Sequence, residues 1–200
     1  MIVYIVAKRE SAEMNTITIK EITAEQANEY KTFFNQALTN DENNFRLSPN
    51  DDRDALFPTH GLDDSFTLGI YVNDILAGVG SFEREGATRE KLRHKGLLFR
   101  MYVSSEYRGK GLAKKLISEI IHRAIKLGNI EQINLTVIAN NMKAIKLYEQ
   151  FGFRTFSSEE RAIKWKGQYF TENQMALKLP VSKAKSQYNP SLIATPWIIT

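Results

Sequence analysis

The chain has 200 residues, 42% of them hydrophobic and 25% charged, which is ordinary for a globular domain and enough to bury one substantial core. The absence of cysteine excludes disulfides, thiolate metal sites and a cysteine nucleophile, and His60, His94 and His122 lack metal-ligand spacing. A net charge of +4 without an aromatic-interleaved basic stripe does not favour nucleic acid, and no apolar run approaches the roughly 20 residues of a membrane helix. We therefore expect a cytoplasmic protein with no metal, no nucleic-acid partner and no membrane association.

Turn residues divide the chain into strand and helix patterns. The predicted strands are residues 16–22, 66–72, 75–82, 96–103, 133–138, 153–156 and 169–179, with 162–165 as a candidate partner of the last. Thr23 is placed to cap a helix that runs to about Leu38, and a shorter helix is predicted near Asp51 to Phe57. A further helix is predicted over residues 141–151, closed by Gly152.

The clearest pattern is the helix that starts at Leu112. Gly128 follows it as the expected C-terminal glycine. Apolar residues recur at helical spacing and predict one buried face, made of Leu112, Leu116, Ile117, Ile120, Ile121, Ala124 and Leu127. Charged residues occupy the other faces, so we expect one side of this helix to pack against a sheet.

The order of these elements predicts one α/β (α+β) domain over residues 16–180. Residues 1–15 precede it as an extension, whose opening lacks the length and the basic start of a signal peptide. Pro180 ends the recognisable pattern, and residues 181–200 form a tail. The apolar end of this tail is suited to packing on the domain or on a partner subunit, so a monomer and a homodimer are both open.

The connection at residues 108–113 joins a predicted strand to the long helix. Gly109 and Gly111 leave backbone N–H groups uncovered at the helix N-terminus, where the helix dipole is positive. Arg108 and Lys110 add full positive charges. The loop therefore predicts an anion site, with phosphate or pyrophosphate as the expected guest. It lacks the spacing of a P-loop and the third glycine of a dinucleotide fingerprint, and an ordinary glycine-bearing connection is the alternative.

Acidic and basic residues are unevenly distributed along the chain. Residues 41–64 contain seven acidic and two basic residues, whereas residues 84–115 contain ten basic and three acidic ones. This distribution suits an enzyme that joins an anionic cofactor to a cationic acceptor, with residues 41–64 on the acceptor side. A solvated charged surface would give the same pattern.

Two motifs together resemble the GNAT superfamily of N-acetyltransferases. Arg108, Gly111 and Ala113 match its Q/R-x-x-G-x-G/A motif for acetyl-CoA. Its second motif, N-x-x-A-x-x-L-Y-x-x-x-G-F, is matched at Asn141, Ala144, Leu147, Tyr148, Gly152 and Phe153. The resemblance covers about residues 16 to 180. It implies a mixed, mostly antiparallel sheet of six to seven strands, flanked by helices, with a splayed central strand pair.

The resemblance also implies acetyl-CoA as the cosubstrate, without a metal. The loop amides are expected to cradle the pyrophosphate, and the strand before the loop is expected to hold the pantetheine arm, with the Met101 amide near the acetyl carbonyl. For Asn141, a plain helix N-cap is the alternative. The implied binding residues are Met101, Tyr102, Val103, Arg108, Gly109, Lys110, Gly111, Leu112, Ala113, Asn141 and Ala144.

Tyr148 is implied to lie beside the thioester sulfur. A phenol of pKa about 10 can protonate a departing thiolate of pKa about 8.5, so Tyr148 is the expected general acid. The alternative is a tyrosine that only packs at the helix end. Glu83 is the expected general base, with Glu85 second, and solvent or a water chain is the alternative.

The expected function is acetyl-CoA-dependent N-acetylation of a primary amine, either a small cationic amine or a peptide amine. Because the chain has no cysteine, the amine is expected to attack directly in a ternary complex. The alternative is a non-catalytic acyl-CoA-binding or regulatory module on the same fold.

Overall fold

The computed structural model describes residues 16–52 and 56–180. Within these residues the chain forms three α-helices, which are α1 (Ala27–Asn40), α2 (Leu112–Lys126) and α3 (Met142–Gln150). The strands of one sheet are β1 (Ile17–Glu21), β2 (Phe66–Val72), β3 (Ile75–Arg84), β4 (Lys95–Val103), β5 (Gln132–Ile138), β6 (Arg154–Trp165) and β7 (Gln168–Lys178). The predicted extension, the predicted tail and the middle of the short helix predicted near Asp51 to Phe57 lie outside the described residues.

The sheet has seven strands in the order β1-β2-β3-β4-β5-β7-β6. The β4–β5 pair is parallel and every other neighbouring pair is antiparallel. The predicted fold, a mostly antiparallel sheet of six to seven strands flanked by helices, is confirmed. One hydrophobic core lies between the sheet and helices α2 and α3, and a second lies under α1. None of the helices in the described part of the chain is long and apolar enough to cross a membrane.

Helix α2 follows its predicted pattern. Five of the seven predicted apolar residues are fully buried against the sheet, namely Leu112, Leu116, Ile117, Ile120 and Ala124. Gly128 follows the helix with φ +77°, the left-handed conformation that favours glycine there. Because the apolar face holds α2 on the sheet, its N-terminus is fixed next to the end of β4.

The parallel strands β4 and β5 part soon after they begin. They pair only from Lys95 opposite Gln132 to Leu97 opposite Asn134, although both strands continue beyond that point. An irregularity in β4 accompanies the separation, because the register with β3 shifts and Arg100 has φ +51°. The predicted splayed pair is therefore present, and the gap between the strands opens toward their C-terminal ends.

The edge strand β6 differs from its prediction. Residues 153–156 and 162–165 were expected to be separate strands, but a single strand runs from Arg154 to Trp165. Its register with β7 is irregular between Glu159 and Ile163, where Arg161 has φ +57°. The intervening residues are polar and exposed, because an edge strand need not bury either face. Hydrophobic alternation therefore could not reveal them.

Candidate functional site

A cleft of about 1180 Å³ lies where β4 and β5 part. The ends of both strands, the loop before α2, the start of α3 and the segment after α1 line it. The structure brings together most of the predicted site residues at this cleft, namely Met101, Tyr102, Val103, Arg108, Gly109, Gly111, Leu112, Ala113, Asn141, Ala144 and Tyr148. Lys110 and Glu83 are not among the lining residues.

The loop before α2 presents bare backbone amides to the cleft. Gly109 and Gly111 have φ +79° and +76°, and a Cβ at either position would meet no atom within 4 Å. Gly111 is the N-cap of α2 and supplies no capping side chain. The amides of residues 109–114 donate to no acceptor among the described residues. A row of free N–H groups at the positive end of a 15-residue helix fits an anion such as pyrophosphate.

Arg108 braces this loop with its side chain. Its Nε donates to the Val103 carbonyl at 2.9 Å, and its Nη2 donates to Asp41 Oδ2 at 2.6 Å. The guanidinium also lies over the Tyr102 ring, 5.4 Å from the centroid. The hydrogen bond that Arg108 donates to Asp41 raises the pKa of Arg108, and burial together with the hydrogen bond that Tyr102 donates to Asp41 raises the pKa of Tyr102. Arg108 therefore fixes the loop against β4 and the end of α1.

Tyr148 is a buried tyrosine on α3. Its ring packs edge-on against Phe153, with centroids 5.8 Å apart, and no described residue hydrogen-bonds to its hydroxyl. Burial raises the pKa of Tyr148 to about 12. The phenol is therefore neutral at physiological pH and holds a proton that no described residue accepts, beside the cleft.

Asn141 caps helix α3. Its Oδ1 accepts a hydrogen bond from the Ala144 amide at 3.1 Å, as expected of a helix N-cap. Its Nδ2 donates to Asn44 Oδ1 at 2.9 Å. Asn141 is thus the N-cap that the sequence allowed, and it also ties α3 to the segment after α1.

The segment after α1, residues 41–47, forms a strap with contacts on several sides of the cleft. Sequence reasoning placed residues 41–64 on the acceptor side but did not identify these contacts. Each contact joins a polar side chain of the strap to a different element: Asp41 to Arg108 at 2.6 Å, Glu42 to Lys166 at 2.8 Å, Asn44 to Asn141 at 2.9 Å and Arg46 to Glu172 at 3.3 Å. Five strap residues line the cleft, namely Asp41, Asn44, Phe45, Arg46 and Leu47.

Glu83, the predicted general base, lies away from this cleft. It stands opposite Leu97 near the end of β3, and it lines a second cavity of about 320 Å³ together with Asp64 and Arg93. Because β3 runs antiparallel to β4, its C-terminal end lies beside the start of β4, whereas the cleft opens at the far end of β4. The second candidate, Glu85, accepts a hydrogen bond from Asn134 at 2.6 Å and pairs with Lys95 at 3.6 Å.

Two carboxylates of the described residues line the cleft, and sequence reasoning singled out neither. Asp41 accepts hydrogen bonds from both Arg108 and Tyr102. Glu172, on β7, is only 2% exposed and pairs with Arg46. The pattern of β7 predicts a strand without marking Glu172 as buried, so only the fold could have revealed it. Among the described residues, no group of three or more His, Cys, Asp or Glu could hold a metal ion.

Comparison with known proteins relates this architecture to acetyltransferases. The family model described as acetyltransferase (GNAT) matches residues 27–153. The spermine/spermidine N(1)-acetyltransferase of Bacillus subtilis (strain 168) is 39% identical over 72 residues, which cover 34% of this chain and 47% of that relative. The spermidine N(1)-acetyltransferase of Vibrio cholerae is 35% identical over 60 residues, 30% of this chain and 35% of that relative. The matches thus span less than half the length of these curated relatives.

Solved structures share the fold. A GNAT-family acetyltransferase from Streptococcus pneumoniae superimposes with a TM-score of 0.74 at 24% identity, over 82% of this chain and 100% of that chain. The Salmonella typhimurium protein yncA, solved with its cofactor acetyl-CoA, gives a TM-score of 0.72 at 20% identity, over 86% of this chain and 99% of that one.

Proposed function

The chain belongs to the acetyltransferase (GNAT) family, and on that premise we propose that it is an acetyl-CoA-dependent N-acetyltransferase acting on a primary amine. One juxtaposition carries the proposal. Gly109 and residues 111–114, whose amides donate to no described acceptor, border the same cleft as Tyr148, whose hydroxyl hydrogen-bonds to no described residue. An anion site and a proton donor on one cleft are what an enzyme needs to hold a phosphate-bearing cosubstrate and to protonate a leaving group.

The residues of the cleft fit acetyl-CoA, which when bound supplies the acetyl group as an activated thioester. The amides of residues 109–114 would hold the pyrophosphate, because they lie at a helix N-terminus and donate to no acceptor in the described part of the chain. The end of β4, residues 101–103, pairs with no described strand on its β5 side and so offers backbone groups to the amide-containing arm, apart from the Val103 carbonyl, which already accepts from Arg108. Arg108 would contribute by holding the loop in place through Val103 and Asp41.

Tyr148 is proposed as the general acid. With a pKa raised to about 12 by burial, its hydroxyl keeps its proton at neutral pH. A thiol in water has a pKa near 8.5, so proton transfer from Tyr148 to a fully solvated thiolate is unfavourable. The burial that raises the pKa of Tyr148 also destabilises a thiolate beside it and raises the pKa of that thiol, which makes the proton transfer more favourable.

The acceptor is proposed to be a cationic amine. Two relatives are named for spermine or spermidine, and a strap rich in charged residues borders the cleft. An alkylamine of pKa about 10.4 is protonated at pH 7 and must lose a proton before it attacks. Because Glu83 and Glu85 lie outside the cleft, we propose that this proton is lost to solvent.

The test is a thiol-release assay with acetyl-CoA and a panel of polyamines, simple monoamines and peptides with free N-termini. Acetyl-CoA-dependent release with an amine, and formation of the N-acetyl product by mass spectrometry, are the expected results. Calorimetry with acetyl-CoA alone separates the rival function. Tight binding without release on any amine would instead indicate a non-catalytic acyl-CoA-binding module.

A further inference from the structure

Glu172 is a buried carboxylate at the cleft whose protein partner is itself exposed. Its side chain is 2% exposed, and Arg46 Nε lies 3.3 Å from its Oε2. The Arg46 side chain is 59% exposed. Among the described residues, Arg46 is the only cation within ion-pair distance of Glu172, and no hydrogen bond reaches the carboxylate. The strap thus supplies one loose contact to this buried carboxylate.

This arrangement leaves most of the binding capacity of Glu172 unused. An ionised carboxylate can accept about four hydrogen bonds, and burial makes each missing one expensive. Asp41, the other carboxylate that lines the cleft, shows the contrast, because it accepts hydrogen bonds from Arg108 at 2.6 Å and Tyr102 at 3.1 Å. A compact cation with several N–H donors would satisfy Glu172 better than the single Arg46 contact does.

We propose that Glu172 binds an ammonium group of the acceptor and that Arg46 occupies this position until the acceptor displaces it. The inference rests on the proposed acetyltransferase function and assigns it a substrate class, namely amines that carry a second cationic group. An exposed guanidinium is easily displaced, since its release returns it to water at little cost.

The ammonium on Glu172 is the one that is not acetylated. The reacting amine must become neutral, and a buried carboxylate in contact with it would stabilise the charged form instead. A diamine can therefore present one amine for acetylation while its other ammonium group binds Glu172, which a monoamine of the same length cannot do.

The experiment compares 1,4-diaminobutane with butylamine as acceptors for the full-length protein. For Glu172→Gln, the acceptor KM is expected to rise about tenfold or more with the diamine and little with the monoamine, because a hydrogen bond between charged groups is lost. For Arg46→Gln, the change is expected in the opposite direction, since the internal competitor is gone and the diamine KM falls several-fold. The kcat values are expected to change little.

Glu159→Gln is the matched control, since it makes the same chemical change on the residue opposite Glu172, which is exposed and outside the cleft lining. It is expected to leave the diamine KM within about twofold of wild type, because an exposed charge contributes little. An equal change in the KM of both acceptors for Glu172→Gln, or a rise in the diamine KM for Arg46→Gln, would overturn the inference. Circular dichroism establishes that each variant is folded.

Calorimetric titration of the diamine provides a readout that does not depend on turnover. Weaker diamine binding by Glu172→Gln than by wild type supports the inference even if thiol release is never observed, in which case only the proposed function fails. Equal diamine binding by the two proteins, or none by wild type, overturns the inference while leaving any observed turnover intact.

Discussion

The carboxylate of Asp41 accepts a hydrogen bond from Arg108 Nη2 at 2.6 Å, so the end of α1 is connected directly to the loop before α2. Tyr102 donates to the same oxygen at 3.1 Å. One carboxylate therefore joins the strap, the end of β4 and the loop before α2. The position of the loop depends on a residue 67 positions away in the sequence.

The first prediction concerns this link. Asp41→Asn is expected to raise the Kd for acetyl-CoA a few-fold and to lower the free energy of unfolding by about 1 kcal/mol, because Arg108 loses its charged partner. Calorimetry and denaturant unfolding measure the two quantities. Glu42→Gln is the control, since it removes the next ion pair of the strap, to Lys166, without touching the loop. If the two variants weaken acetyl-CoA binding equally, the contact between Asp41 and Arg108 contributes no more to that binding than the other ion pair of the strap does.

The second prediction compares the two ends of α2. Gly111 and Gly128 have nearly the same positive φ, +76° and +77°, and equally open surroundings. Alanine at either position is expected to lower the free energy of unfolding by about 1–2 kcal/mol, because an L side chain is strained in that conformation. Only Gly111→Ala is expected to weaken acetyl-CoA binding, by about tenfold, since its methyl group enters the row of free amides. Similar acetyl-CoA affinities for the two variants would contradict the assigned anion site.

The third prediction tests the general acid. Tyr148→Phe removes only the hydroxyl and keeps the ring against Phe153, so kcat is expected to fall about a hundredfold with an unchanged Kd for acetyl-CoA. Thiol release and calorimetry give the two values. Tyr169→Phe, which alters a half-exposed tyrosine outside the cleft lining, is expected to keep the wild-type rate. A wild-type kcat for Tyr148→Phe would leave Tyr148 as a packing residue only.

The fourth prediction follows from the raised pKa of Tyr148. Folding favours the protonated phenol, so its contribution to stability is complete below pH about 10, the unfolded value, and is lost as the pH rises toward about 12. The free energy of unfolding of Tyr148→Phe is therefore expected to decline less than that of wild type between these pH values. Urea unfolding at a series of pH values measures the difference. Parallel declines would mean that burial does not perturb Tyr148.

The raised pKa of Tyr148 also determines the expected pH dependence of catalysis. Because Tyr148 stays protonated up to pH about 10, kcat is expected to show no falling limb below that pH, and the rate can rise as the acceptor amine loses its proton. A decline in kcat that begins near pH 8 would assign the proton donor to another group.

Local sequence patterns predicted much of the fold because they record burial. The apolar face of α2 predicted the helix, and the residues singled out by the two motifs, including Asn141, Tyr148 and Ala144, lie at one cleft. The strand β6 was divided in two because an exposed edge has no apolar alternation to record it.

The long-range partners of the site were not predictable in this way. Glu83 is a candidate base because it lies at the end of a strand next to the central one, but antiparallel pairing places it beside the start of β4, away from the cleft at the other end of that strand. Glu172 and Arg46 are 126 positions apart, and no local signal in either segment marks them as neighbours. Pairings of this kind depend on the order of the strands, which a single sequence does not state.

The early separation of β4 and β5 leaves two strand edges facing each other inside the domain. Each strand keeps a partner on its outer side, β3 for one and β7 for the other, while the inner edges beyond Leu97 and Asn134 pair with no strand of the described residues. Open edges on a protein surface invite another chain to add as a strand. Here the open edges lie within the domain, and the pantetheine arm of acetyl-CoA, which is rich in amide groups, can pair with them as an additional strand would. Cosubstrate binding and completion of the sheet then become a single event.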